Sequence, residues 1–230
     1  SKYHVGSTVY TNEEFKQLVT QSNLSIASNG VLCKKDKTGV IPEILVKWFD
    51  ERKDLRKLAK KHADVKEWEK YEFYDGRQKV QKVLLNSIYG VLGLPIFRFY
   101  DKDNASAVTI TGQDIIKSTG KAINECFKRA LDEKEGDWVI YTDTDSCFAS
   151  ALPIIKKNMP DIDLNDEKAM TEAILKVTGD VQSFVNKFYD VMAKRYFNIE
   201  KHRFDAKQEV IAKTGFWLAK KRYAQLIINK

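Results

Sequence analysis

The residue pattern predicts an α+β chain in which long amphipathic helices carry most of the length and short antiparallel hairpins the rest. Three observations lead there. Apolar residues recur at helical spacing through 44–62, 80–91 and 105–131. Strand-forming residues flank the turn dipeptide Asn29-Gly30 and the acidic run Asp143-Thr144-Asp145. No internal repeat or low-complexity tract interrupts them, which argues against a solenoid or fibrous architecture.

Taken in order, Thr11 and Glu14 have the spacing of a capping box, with Phe15, Leu18 and Val19 as the apolar face of a short helix. Residues 24–27 and 31–34 are expected as strands around Asn29-Gly30. Gly39 and Pro42 mark the next boundary, Pro42 suiting a first helical turn. Ile44, Leu45, Trp48, Leu55 and Leu58 then repeat to about His62, while Arg52, Lys53, Arg56, Lys57, Lys60 and Lys61 crowd the other sides of a long basic helix. A connection is expected over 63–74. Asp75 then caps a second helix with Val80, Val83, Leu84, Ile88 and Val91 on its apolar side and Lys79, Lys82, Asn86 and Tyr89 in a polar stripe. A short link makes this pair antiparallel.

Beyond Gly93 and Pro95, residues 97–100 are expected to be extended. A third helix over 105–131 buries Val108, Ile115, Ile116, Ile123 and Phe127. Residues 138–148 predict two strands joined by the acidic turn. A polar loop follows over 156–166, then helices near 167–176 and 180–196, and extended pieces at 209–212 and 223–228 around Lys220-Lys221-Arg222.

The totals narrow the functional classes. With 43% hydrophobic residues among 230, the chain can bury a sizeable core, and a net charge of +7 suits a polyanionic partner. Cys33, Cys126 and Cys147 form no CxxC pair, so structural thiols in a reducing compartment are expected. No signal peptide and no apolar run of membrane-spanning length is present, so the chain reads as soluble. The start at Ser1, without an initiator Met, suggests a processed chain or an excised piece.

The acidic turn is the first candidate site. If strand alternation persists through it, Asp143 and Asp145 share one face and Thr144 points away. Two such charges about 4 Å apart repel by roughly 4 kcal/mol at an effective dielectric near 20, unless a cation lies between them. Hard oxygen donors would select magnesium. The other reading of Asp-x-Asp alone is a turn whose carboxylates cap the backbone.

Four stretches together resemble the family B (α-like) DNA polymerases. Tyr141-Thr142-Asp143-Thr144-Asp145-Ser146 is similar to the palm motif Y-G-D-T-D-S, with Thr142 in place of Gly. Tyr74-Asp75-Gly76-Arg77-Gln78 through Lys82, Asn86-Ser87, Tyr89 and Gly90 resembles the fingers motif K-x-x-x-N-S-x-Y-G. Residues 39–42 with Arg52 and Arg56 are similar to the first fingers helix, and Lys220-Lys221-Arg222-Tyr223 to the K-K-R-Y motif.

The resemblance implies a partial palm, an antiparallel sheet packed on helices, with an inserted antiparallel helical-hairpin fingers subdomain. It divides the chain into a palm-associated segment 1–41, fingers 42–92 and palm 93–230. The activity implied is nucleotidyl transfer from a dNTP to a primer 3′-hydroxyl with two Mg2+ ions. Asp143 and Asp145 would be catalytic metal ligands, Asp145 the stronger, with Glu209 a further metal-site carboxylate. Arg52, Arg56, Lys82, Asn86 and Tyr89 would bind the nucleotide. Gly90, Lys220, Lys221, Arg222 and Tyr223 would meet primer-template DNA.

No segment resembles the first palm motif D-x-x-S-L-Y-P-S, and the exonuclease carboxylates and thumb are also unmatched. The resemblance thus implies a fragment, inactive alone, that needs the missing polymerase segments or a complementing subunit. It implies a cytoplasmic, nucleoid-associated or nuclear setting and no membrane. The alternative is a non-catalytic nucleic-acid-binding or complementing subunit with a vestigial palm. Reverse transcriptases, with adjacent aspartates, are disfavoured by Thr144 between Asp143 and Asp145.

Overall fold

The computed structural model describes residues 2–229. The chain divides into two compact units, 1–109 and 110–230. In the first, β1 (Lys2–Val5) and β2 (Thr8–Thr11) pair antiparallel around Gly6, whose φ of +60° suits a residue without Cβ. This hairpin is absent from the expectations above, because strands this short show little alternation. α1 (Asn12–Gln21) starts on Thr11 with the expected capping box: Glu14 N–H donates to Thr11 Oγ1 at 3.4 Å and Thr11 N–H to Glu14 Oε2 at 2.7 Å. These bonds hold the Glu14 carboxyl below its usual range. Tyr3 stacks on Phe15, and Val19 is buried. β3 (Leu24–Ile26) and β4 (Leu32–Lys34) pair around Asn29 and Gly30 as expected, and Asn29 Nδ2 donates to the Asp103 carbonyl at 2.9 Å.

α2 (Val40–Asp64) and α3 (Trp68–Val91) meet in reverse order: Gln81 reaches the Trp48 carbonyl and Glu51, Gln78 meets Arg52, and Tyr74 stacks on His62. The pair is therefore antiparallel. Three details differ from the sequence pattern. Residues 68–74 are helix rather than connection: they contain no Gly or Pro, and Lys66 already supplies the left-handed turn at φ +58°. Asp75 lies inside α3 and binds Gln78 and Lys79 instead of capping. The apolar side is misassigned too, since Val80, Val83 and Leu84 are exposed. α3 faces α2 through Tyr74, Gln78 and Gln81, because the hydrogen bonds of the amides select the face and a hydropathy count does not register them. Residues 97–100, expected to be extended, form successive turns with bonds from Phe97 N–H to Leu94 O and from Tyr100 N–H to Phe97 O.

α4 (Lys102–Leu131) begins in the first unit and continues into the second. Ala107, Thr119, Ala122, Ile123, Phe127 and Leu131 are buried along it, whereas Val108, expected inside, is exposed. In the second unit, Ile123 and Phe127 share a core with α5 (Leu152–Asn158) and α6 (Glu167–Phe197). Lys156 and Lys157 are thus helical, and the polar loop starts only after Asn158. α6 is one helix where two were expected. Ala173, Val177, Val185, Tyr189 and Met192 form one buried stripe along it, and their burial outweighs the roughly 1 kcal/mol cost of Gly179 in a helix interior. Thr119 Oγ1 donates to the Ile115 carbonyl at 2.8 Å, which leaves it to accept the Tyr189 hydroxyl at 2.8 Å and tie α4 to α6.

β5 (Val139–Asp143) pairs with β6 (Ser146–Ala149), and β7 (Ile211–Ala219) with β8 (Arg222–Asn229). The α+β class therefore holds. Among the described residues the strands form four two-stranded antiparallel ladders. β7 is longer than expected at its C-terminal end and starts at Ile211, so Glu209 lies outside it.

Candidate functional site

In the second unit, the β5–β6 turn presents the two aspartates. Strand alternation does not carry through it: Thr144 adopts φ +52°, and Asp143 pairs across the ladder with Ser146. The correction has a steric reason. A two-residue turn must reverse the chain, so Asp143 ends one strand while Asp145 sits in the turn. Asp143 is half-buried and its Oδ1 accepts the Thr144 hydroxyl at 3.1 Å; Asp145 is exposed, and its N–H donates to the Asp143 carbonyl at 2.6 Å. Backbone bonding thus shapes the turn while the Asp145 carboxylate faces solvent. Hard carboxylate oxygens of this kind fit part of a magnesium coordination sphere. Among the described residues, no group of three or more His, Cys, Asp or Glu is placed to hold a metal ion.

The β7–β8 turn is its cationic counterpart. Lys220 and Lys221 form its tip, Lys221 at φ +62°, and Arg222 and Tyr223 open β8. The two hairpins are joined through side chains. Lys221 N–H donates to the Tyr141 hydroxyl at 2.8 Å, and Tyr223 packs on Tyr141 and Phe148 with ring centroids 5.5 and 5.8 Å away. Trp217 completes the cluster against Phe148. Gly215 makes room for it, since a Cβ there would collide with the Trp217 indole. Tyr141 is two residues before Asp143, so the anionic and cationic tips share one neighbourhood, joined by the 2.8 Å bond from Lys221. Glu209 is exposed and precedes β7.

In the first unit, the remaining residues lie on the helical hairpin. A groove lined by Glu51, Asp54, Leu58, Phe73, Arg77 and Val80 marks one edge of the antiparallel pair. Helical periodicity puts Arg52 and Arg56 of α2, and Lys79, Lys82 and Asn86 of α3, on the other. Arg56, Lys82 and Asn86 are exposed, and Arg52 is half-buried. Arg52 Nε donates to Gln78 Oε1 at 3.2 Å; Gln78 Nε2 donates to Asp75 Oδ1 at 2.9 Å; Lys79 Nζ pairs with Asp75 Oδ2 at 2.6 Å. Lys79, then Gln78, holds the Asp75 carboxyl below its usual range, and Asp75 raises the Lys79 ammonium. Tyr89 is half-buried, and its hydroxyl donates to the Ala105 carbonyl at 3.2 Å. Gly90 is exposed, and an added Cβ would meet nothing within 4 Å.

The structure thus joins the hairpin that carries Asp143 and Asp145 to the one that carries Lys220, Lys221, Arg222 and Tyr223, through Tyr141 and Phe148, and separately puts Arg52, Arg56, Lys82 and Asn86 on one edge of the helical hairpin. The structural roles of Tyr141, Gln78 and Asp75 were not legible in the sequence. For Asp75 the i+3 and i+4 spacing to Gln78 and Lys79 was the available signal.

The model of DNA polymerase family B matches residues 6–229. The DNA-directed DNA polymerase of Enterobacteria phage T4 is 26% identical over 259 aligned residues, covering 87% of this chain and 28% of that protein. The DNA polymerase of Thermococcus gorgonarius is 28% identical, with 84% of this chain and 23% of that protein covered. The DNA polymerase alpha catalytic subunit of Mus musculus is 29% identical, with coverages of 83% and 10%. The chain therefore spans 28% or less of the length of these relatives. Because the family match takes in the helical hairpin and both strand hairpins just described, the chain belongs to DNA polymerase family B.

Proposed function

We propose that this chain supplies palm and fingers parts of a template-directed DNA polymerase, with fingers at 42–92 and palm parts at 1–41 and 93–230. The observation that carries the reading is the hydrogen bond from the Lys221 N–H to the Tyr141 hydroxyl, which ties the basic tip to the strand that leads into the acidic turn. Nucleotidyl transfer needs such a pairing, because metal-ligating carboxylates must lie beside cations that hold the primer phosphates.

Asp145, with Asp143, serves as part of a two-magnesium site, Glu209 is a further carboxylate that the family resemblance offers to it, and another carboxylate comes from outside these 230 residues. When bound, the magnesium ions activate the primer 3′-hydroxyl and neutralise the leaving pyrophosphate. The chain's own residues bind and orient. Arg52 and Arg56 offer planar forks to the triphosphate and Lys82 a point charge. Asn86 meets the triphosphate and sugar, Tyr89 checks the nascent base pair, and Gly90 admits its close approach. Lys220, Lys221, Arg222 and Tyr223 hold the primer strand through sequence-independent contacts.

In a complete polymerase carrying this chain, Asp145→Ala is expected to lower turnover by at least about 1,000-fold, on the order of 4 kcal/mol of transition-state stabilisation. Single-turnover extension of a primer measures it, and near-normal turnover would remove Asp145 from the metal site. Primer extension by the 230-residue chain alone would overturn the requirement for an outside carboxylate. Duplex binding with no dNTP effect dependent on Arg52, Arg56 and Lys82 would favour a non-catalytic nucleic-acid-binding module.

A further inference from the structure

We propose that Gln78 is a positioning residue for Arg52, anchored from behind by the Asp75–Lys79 ion pair, so that Arg52 presents a pre-oriented fork to the triphosphate. The inference rests on the reading of Arg52 as a triphosphate-binding residue.

The argument is one of donor and acceptor inventory. Arg52 has only donors and the Asp75 carboxylate only acceptors, so an amide between them fits in one orientation. Its oxygen must face Arg52 and its nitrogen Asp75, as the 3.2 and 2.9 Å bonds have it; the flipped amide would set N–H against N–H and oxygen against oxygen. Asp75 in turn is fixed by Lys79 through its other oxygen, so each carboxylate oxygen has one partner. Gln78 is half-buried against α2, and the Asp75 side chain is 19% exposed, so the relay is partly shielded from water.

The bond to Arg52 is made by Nε. With Nε–H engaged, the two terminal Nη groups are left to form the bidentate contacts that phosphate oxygens accept. A guanidinium held this way loses less rotamer freedom when an anion arrives, which lowers the ordering cost of binding. Asp75 contributes without opposing the anion, since Lys79 offsets its charge.

The test uses the 230-residue chain, with inorganic tripolyphosphate as the probe and isothermal titration as the readout. Gln78→Met keeps side-chain length and helix propensity but removes both bonds, and is expected to weaken binding about fivefold, the scale of one immobilised side chain. The Arg52 Nε–H resonance should lose its protection from exchange in the same variant. Asp75→Ala should show part of the loss, and Asp75→Asn should recover some of it, because an asparagine oxygen still accepts from Gln78 Nε2 although the ion pair to Lys79 is gone. The Arg52→Ala/Gln78→Met pair should bind no more weakly than Arg52→Ala alone.

Unchanged or tighter binding by Gln78→Met, with Arg52→Ala still impaired, overturns the positioning role; tighter binding would mean that Gln78 holds the arginine away from the anion. Additive losses in the double variant overturn it as well. If the unsubstituted chain does not bind the probe, or Arg52→Ala binds it normally, the triphosphate reading of Arg52 falls first and the positioning role goes with it.

Discussion

The α2–α3 hairpin and the α4–α6 core hold together by different means. Along α3 no residue is fully buried and along α2 only Ala59 is; the two helices are joined by the hydrogen bonds of the Gln78 and Gln81 amides and by His62 stacked on Tyr74. In the second unit, Phe127, Ile155 and Val185 are almost wholly removed from water and pack with residues from three helices. The difference is one of chemistry as well as degree. A polar, half-exposed contact can be rearranged by a ligand at little cost, whereas an apolar core resists movement because every shift opens a void. The residues proposed to bind triphosphate lie on the first kind of structure, and the turn proposed to bind metal lies on the unit that contains the second.

Substitutions can break or sharpen this contrast. Phe127→Ala should be the most damaging, costing about 3–5 kcal/mol, because the neighbouring helices cannot collapse into the space left; chemical denaturation followed by circular dichroism measures it. Leu55→Ala, at a half-buried position of α2, should cost less, about 1–2 kcal/mol, because part of that side chain is already hydrated. A loss equal to that of Phe127→Ala would erase the distinction. Tyr189→Phe should cost about 1 kcal/mol, the net worth of its bond to Thr119, and should loosen α4 against α6 in hydrogen exchange.

The smallest effect concerns pH. Glu67, held down first by its bond to His62, and Asp75, held down first by Lys79, both have lowered carboxyl values in the folded chain. Groups lowered on folding contribute stability that is present above their ordinary values and lost as pH falls through the lowered ones. Acidification below the ordinary carboxylate range should therefore speed amide exchange in the α2–α3 turn before it does in α4–α6. Simultaneous loss in both places would count against a polar stitching of the hairpin.

Features with local causes were the legible ones. The Thr11 capping box, the strands around Asn29-Gly30, the α2–α3 antiparallel pair and the acidic and basic hairpins all follow from residues close in sequence. Less legible was anything that depended on a partner far along the chain. The face of α3 was misread because Gln78 and Gln81 answer to Arg52, Glu51 and the Trp48 carbonyl. Helices near 167–176 and 180–196 are expected as separate because the buried stripe that carries α6 through Gly179 exists only once α4 and α5 are packed alongside.

The sequence by itself determined the family, through motifs whose residue types the chemistry demands, and the elements that present them. Only the tertiary structure decided how those residues are supported: Asp143 at the end of a strand with Asp145 inside the reversing turn, Tyr141 holding the basic tip, and Gln78 behind Arg52. The physical reason is that residue type states which bonds a side chain can make, while the partner that takes them is chosen by packing between segments that the sequence keeps far apart.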